Sequence, residues 1–185
     1  MEVVVGITGA SGVIYGIRLL EVLNEKNVRT HLIITRAGKI TIGYETGYKI
    51  REVEGLAYKT YSEDDLAASI ASGTYQFDSM VVAPCSMKTL SGIVHGYSDN
   101  LLLRVAEVAL KEGRKLILVP RETPLSVIHL ENMLKAARAG AIIIPAMPAF
   151  YTKPRTIKDI VDYVVGRILD AMGIEHSLYP RWGTE

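Results

Sequence analysis

The chain has 185 residues, is 49% hydrophobic and 22% charged, and carries a formal net charge of +1. That length suits one domain with a real core, taken here as 1–185, and the charge balance offers no basic field for nucleic acid. The single cysteine, Cys85, excludes an internal disulfide framework, no apolar run approaches the ~20 residues of a membrane span, and no basic segment precedes the first strand-like run, so a cytoplasmic protein without a signal peptide is expected.

Strand-like runs alternate with helical patterns. Residues 2–8 (EVVVGIT) are short, β-branched and bounded by glycine, which predicts a buried strand. Leu19, Leu20 and Leu23 follow at helical spacing. Further strands are predicted over 29–35, 79–84, 115–120 and 141–145, the last three closed by proline. Helices are predicted over 99–113, 126–140 and 156–172, the last opened by a capping box of Thr156 and Asp159. Strands without polar alternation, separated by helices, imply a parallel sheet covered on both faces: an α/β three-layer sandwich of Rossmann-like or flavodoxin-like type. The stretch 44–75 carries the weakest pattern.

Ligands of open α/β sheets bind beyond the carboxyl ends of the strands. The segments TGASG, TRAG, CSMKT, RET and AMPAFYTKPR each follow a predicted strand, so five loops gather at one edge. Gly9, Gly12 and Gly16 are spaced loosely like a dinucleotide fingerprint, but the second strand ends in Thr35–Arg36 with no acid to hold a ribose. NAD is therefore disfavoured, while NADP remains open because Arg36 can meet a 2′-phosphate. A mononucleotide fits better: Ser11 and the amides before the first helix can hold one phosphate, with Thr35, Ser86 and Thr89 as further hydroxyl donors.

Several segments together resemble the UbiX-like flavin prenyltransferases: GITGASGVIYGIRLL, PCSMKTLSGIVHGYSDNLLLRVAEVALKE, LVPRETPLSVIHLENMLKAA, GAIIIPAMPAFYTKPRT and PRWG. They cover nearly the whole chain in the family's order. The resemblance implies an FMN-binding sandwich assembled as a homo-oligomer, a dodecamer. It implies transfer of a dimethylallyl group from dimethylallyl phosphate to reduced FMN, at N5 and then C6. The product, prenylated FMN, serves a partner UbiD-like decarboxylase, in quinone synthesis or aromatic acid breakdown.

Carried residue by residue, the resemblance assigns FMN to Gly9, Ala10, Ser11, Thr35, Ser86, Met87, Lys88, Thr89 and Arg121. It assigns the dimethylallyl phosphate to Tyr151 and Arg167, with Arg104 and Lys111 from another subunit. Ser11, Arg121, Glu122, Tyr151 and Arg167 are expected from the chain that holds the flavin. Glu122 matches an acid that handles protons, Ser11 and Glu45 line the reacting centre, and Trp182 helps to close the pocket. Some members carry a tryptophan between the second and third strands; here Trp182 is the only one.

These residue types suit the chemistry. A departing phosphate needs cations and hydroxyls where negative charge builds, and an allylic cation needs a dry site. Met147, Pro148 and Phe150 can form such a wall or simply pack the loop. On spacing alone, Arg104, Glu107 and Lys111 describe a solvated helix face. Cys85 reads as a small buried residue. The four histidines show no zinc-like spacing, so no metal site is expected, and the acidic run SEDDL (62–66) is expected to cap a helix N-terminus, as a helix start.

Three other readings share parts of this pattern. An FMN-dependent decarboxylase of aromatic acids shares the fold; a peptidyl-cysteine decarboxylase wants a PxMNxxMW segment that is lacking. A non-catalytic flavin carrier needs no second phosphate site. An NADP-dependent reductase predicts bound NADP rather than FMN.

Overall fold

The computed structural model describes residues 1–183. Its six strands are β1 (Glu2–Ile7), β2 (Arg29–Ile34), β3 (Lys59–Tyr61), β4 (Ser79–Cys85), β5 (Lys115–Pro120) and β6 (Ile142–Ile143). They form one sheet in the order β3-β2-β1-β4-β5-β6, with every pairing parallel. The helices are α1 (Val13–Glu25), α2 (Arg36–Glu45), α3 (Ile50–Glu54), α4 (Met87–Val94), α5 (Leu101–Lys111), α6 (Val127–Arg138) and α7 (Ile157–Met172).

Period-two geometry divides the strand side chains between two cores. Val3, Val5, Ile7, Val81 and Ala83 pack with residues of α1, α2 and α7. Val4, Met80, Val82, Leu116 and Leu118 pack with α4 and α5. Because both faces are covered, no polar alternation survives in the sequence, and the expected sandwich is found.

Three expectations need correction. The strand β3 was not predicted: only three residues pair, Lys59 to Tyr61 against His31 to Ile33, too few to show a pattern. The strand expected over 141–145 pairs only at Ile142–Ile143, because β6 is an edge whose later residues bond β5 irregularly, Ile144 N to Leu118 O at 2.9 Å and Ala146 N to Pro120 O at 3.2 Å. The acidic run at 62–66 caps a helix N-terminus as expected, but that of α2 and not of a helix it opens itself. It turns on itself, Asp65 N donating to Ser62 O at 3.2 Å, and Glu63 lends its groups to helices elsewhere in the chain.

The order of strands reverses between β1 and β4, which places the ligand crevice at the loops that follow those two strands.

Candidate functional site

The ends of β1 and β4 are joined by Thr8, whose side chain is almost wholly buried. Its Oγ1 donates to the Pro84 carbonyl at 2.7 Å and accepts from the Ser86 amide at 2.9 Å. The Thr35 amide donates to the Ile7 carbonyl at 3.0 Å and brings in the end of β2. Arg121, just after β5, donates from Nε to the Ser11 carbonyl at 3.1 Å. Four of the five predicted loops therefore meet. Helix α1 lies low on the sheet because Gly16 has no side chain: a Cβ there would stand 2.2 Å from the Ala83 carbonyl oxygen.

Three helix N-termini point at this edge, and each carries partial positive charge. At α1 the cap residue Gly12 has φ 98° and no side chain to offer. Glu45 supplies the missing acceptor, taking the Gly12 amide at 2.7 Å and the Val13 amide at 3.3 Å. Burial raises the Glu45 carboxyl's proton affinity, but hydrogen bonds from Ser11, Gly12 and Val13 outweigh it and hold the group below its ordinary value. At α2, Thr35 Oγ1 accepts from the Gly38 amide at 3.1 Å and Glu63 takes the Arg36 amide. At α4, Ser86 Oγ accepts from the Thr89 amide at 3.3 Å and donates to Thr89 Oγ1 at 3.0 Å.

Carboxylates thus occupy the first two helix ends. This revises the expectation that the amides before α1 are open to a phosphate: Glu45 already holds two of them. At α4 the amides of Met87 and Lys88 stand in the first turn, where no intrahelical acceptor exists. Hydroxyls of Ser86 and Thr89 stand beside them. An anion therefore fits best at α4, within the crevice at the strand-order switch. The donor set suits the ribityl phosphate of FMN, since it offers amides, hydroxyls and Arg121 but no acid at the end of β2. Glu122 follows Arg121, is exposed, and takes the Thr123 amide on Oε1 at 2.9 Å. Cys85 is fully buried, and burial pushes its thiol up to about 12, which suits a packing residue rather than a nucleophile.

A second group lies on the outer side of α7. Tyr151 meets Trp182 edge-on at 5.0 Å and Tyr163 at 6.1 Å. Tyr151, Lys153, Pro180, Arg181 and Trp182 line a groove of about 630 Å³. Arg167, on the same helix, donates to Asp170 at 3.1 Å. A third group lies on α5, where Arg104 pairs with Glu107 at 3.0 Å and Lys111 with Glu112 at 2.6 Å. In a single chain, among the described residues, no hydrogen bond or ion pair joins the crevice to Tyr151 and Arg167, or either group to Arg104 and Lys111.

Sequence reasoning missed Thr8 and which helix Glu63 caps. Thr8 follows an apolar strand directly and precedes a glycine, a local signal that can be read. Glu63 reaches Arg36 across 27 residues of chain, and nothing in either local pattern records that pairing.

The flavoprotein family model matches residues 1–169. The flavin prenyltransferase UbiX of Methanocaldococcus jannaschii is 53% identical over 184 residues, covering 100% of both chains. A crystal structure of AnUbiX (PadA1) in complex with FMN and dimethylallyl pyrophosphate superposes with a TM-score of 0.98 at 47% identity, covering 100% of this chain and 98% of that one. The dodecameric FMN-dependent UbiX-like decarboxylase of Escherichia coli O157:H7 superposes with a TM-score of 0.97 at 52% identity, covering 100% of each chain. At this similarity, sustained over the full length, the chain belongs to the UbiX-like flavin prenyltransferases within the flavoprotein family.

Proposed function

We propose that this protein transfers the dimethylallyl group of dimethylallyl phosphate to reduced FMN and releases prenylated FMN for a UbiD-like decarboxylase. The observation that carries the reading is full-length identity above half with a flavin prenyltransferase. Reduced FMN would supply the electron-rich ring that takes the dimethylallyl group, through one carbon at N5 and then through a second carbon of the same group at C6.

The chain's own residues divide the remaining work. Ser86, Thr89 and the first amides of α4 hold the flavin phosphate, with Met87 and Lys88 in the same turn. Gly9, Ala10 and Ser11 form the floor of the crevice, Thr35 buttresses it through α2, and Arg121 fixes the glycine loop through the Ser11 carbonyl. Arg167 and Tyr151 take the donor phosphate, because charge grows on its oxygens as the carbon–oxygen bond breaks. Tyr151 and Trp182 also exclude water from the allylic carbon. Glu122 moves the proton between phosphate and ring, and Glu45 holds Ser11 in place from the opposite side.

In this reading the crevice and the α7 groove belong to one chain, and the α5 face joins them from a neighbouring chain. Lys111 ends α5, four residues before β5 begins, so it lies toward the amino edge of the sheet while Glu122 follows the carboxyl edge of β5. Lys111 accordingly serves a neighbouring subunit, and Arg104, two turns away on the same face of α5, is assigned with it. A homo-oligomer follows, and we take it as a dodecamer because the E. coli relative is described as one. The compartment is the cytoplasm, in keeping with the free thiol of Cys85. No helix among the described residues is long and apolar enough to cross a membrane.

The test is anaerobic incubation with reduced FMN and dimethylallyl phosphate or diphosphate, then mass spectrometry of the released flavin. A flavin heavier by one prenyl unit is expected, and an unchanged mass with both donors refutes the reading. The E. coli relative's description as a decarboxylase favours one alternative. It predicts carbon dioxide from an aromatic acid with purified protein and no partner present.

A further inference from the structure

Residues 174–183 run back along α7, where Ile174 and Leu178 pack against the core, and one carboxylate gathers three further side chains of this strap. Asp170 Oδ1 accepts from His176 Nε2 at 3.1 Å and from Arg181 Nη2 at 2.7 Å. Its Oδ2 accepts from the Tyr179 hydroxyl at 2.5 Å and from Arg167 Nη1 at 3.1 Å. The tautomer of His176 agrees, because its Nδ1 accepts from the Leu178 amide at 3.2 Å, leaving the proton on Nε2. Three of the four partners belong to the strap, and the fourth is Arg167.

Helix α7 is also shaped for this strap. A Cβ on Gly166 would stand 2.5 Å from Tyr179 Cε1 and 2.7 Å from His176 Cε1. The strap lies in the space that this missing side chain leaves. At its far end, Trp182 rests edge-on against Tyr151.

We propose that Asp170 is a positioning residue: it latches the strap 174–183 onto α7, and so sets Trp182 against Tyr151 and fixes the direction of Arg167. The assignment rests on the prenyl-transfer reading only for what Arg167 and Trp182 then do; the latch itself stands on the contacts. Burial would raise the Asp170 carboxyl, but hydrogen bonds from Arg181 and Tyr179 hold it down to about 2, so it is charged wherever the enzyme works. Asparagine at this position keeps the shape and loses the charge that gathers two arginines.

Trp182 is the chain's only tryptophan, so its emission reports the strap alone. The experiment compares wild type, Asp170→Asn and Gly166→Ala as purified full-length proteins. It measures the fluorescence anisotropy of Trp182, FMN content, and KM and kcat for dimethylallyl phosphate. In Asp170→Asn, the anisotropy of Trp182 falls, KM rises about tenfold, the size of one lost charge-assisted contact, and FMN content is unchanged. Gly166→Ala is the second variant because alanine favours a helix interior. It leaves the helix intact, pushes the strap off, and produces the same fall in anisotropy. Trp182 held as in wild type in both variants overturns the latch. Freed Trp182 with unchanged KM overturns the positioning of Arg167. A wild-type protein that forms no prenylated flavin overturns the prenyl-transfer reading and the donor role of Arg167, while the anisotropy still decides the latch.

Discussion

Glu122 stands at the end of β5, beside the arginine that fixes the glycine loop, and its carboxylate bonds only to the next amide among the described residues. A carboxylate so placed is available to move a proton; glutamine keeps its shape and cannot. Glu122→Gln should therefore retain FMN and lose about 10²–10⁴ in turnover, the usual worth of a positioned acid or base. Near-normal product formation by the mutant would leave Glu122 with no part in proton transfer. A different residue-scale effect is expected at the opposite end of the sheet. His31 is buried, with Nδ1 3.2 Å from the Tyr61 hydroxyl and Nε2 3.2 Å from that of Tyr75. Burial pushes its imidazole below the ordinary value of 6.5, and the Glu2 carboxylate pulls it only part of the way back. Just below that value the unfolded chain binds more protons than the folded one, so stability falls as pH falls. One such group contributes a slope of up to about 1.4 kcal/mol per pH unit. In His31→Gln the melting temperature should be lower at neutral pH, yet its decline between about pH 7 and 5.5 should be flatter. Equal slopes in melting curves of the two proteins would assign the acid sensitivity to other groups.

At the scale of the element, α6 is unusual. It buries only Asn132 and Ala136 against its own chain, while Val127, Leu130 and Leu134 form an exposed stripe at helical spacing. Val127 is 70% exposed and Leu130 52%. Such a stripe on one outer face is what an interface between copies leaves when a subunit is viewed alone. Leu130→Glu should leave the monomer folded and reduce the assembly, because each buried leucine contributes about 1.5–3 kcal/mol. Size-exclusion chromatography with light scattering reads the result, and an intact assembly would remove α6 from the interface. Elements were also where the sequence was most and least readable. Continuous apolar runs revealed β1, β2, β4 and β5 to within a residue, and the Thr156–Asp159 box marked the start of α7, where Thr156 Oγ1 accepts from the Asp159 amide at 3.2 Å. Those signals are local. The carboxylates at the ends of α1 and α2 are not, since Glu45 and Glu63 come from 33 and 27 residues away. The short strand β3 escaped for the same reason: its three residues gain their place from β2 rather than from any pattern of their own. The site residues came from resemblance to a family; the residues alone pointed to a phosphate at the strand edge and left its owner open.

At the scale of the molecule, the proposed division of cations between subunits would make assembly part of catalysis. Arg104 and Lys111 lie seven residues apart on α5, two turns along one face, and α5 is about 16 Å long. In their own chain they pair with Glu107 and Glu112, and among the described residues neither makes a hydrogen bond or ion pair in the crevice. Those pairs are exposed and contribute little, so they can be exchanged for a donor phosphate across an interface. Lys111→Ala and Glu122→Gln should each be inactive as a pure assembly. Co-expressed with different tags, they should regain activity in the mixed assemblies. Some interfaces there unite an intact Lys111 from one chain with an intact Glu122 from its neighbour, and a minority of sites becomes complete. Were both residues drawn from the same chain, every site would carry one defect and mixing would restore nothing. The measurement is prenylated-flavin formation by doubly purified hetero-oligomers, set against each mutant alone and normalised to bound FMN. Recovery requires that the α5 face reach the crevice of a neighbour. Its absence in assemblies shown to be mixed and flavin-loaded would return Arg104, Glu107 and Lys111 to the role their spacing alone suggests, a solvated helix face held by surface ion pairs.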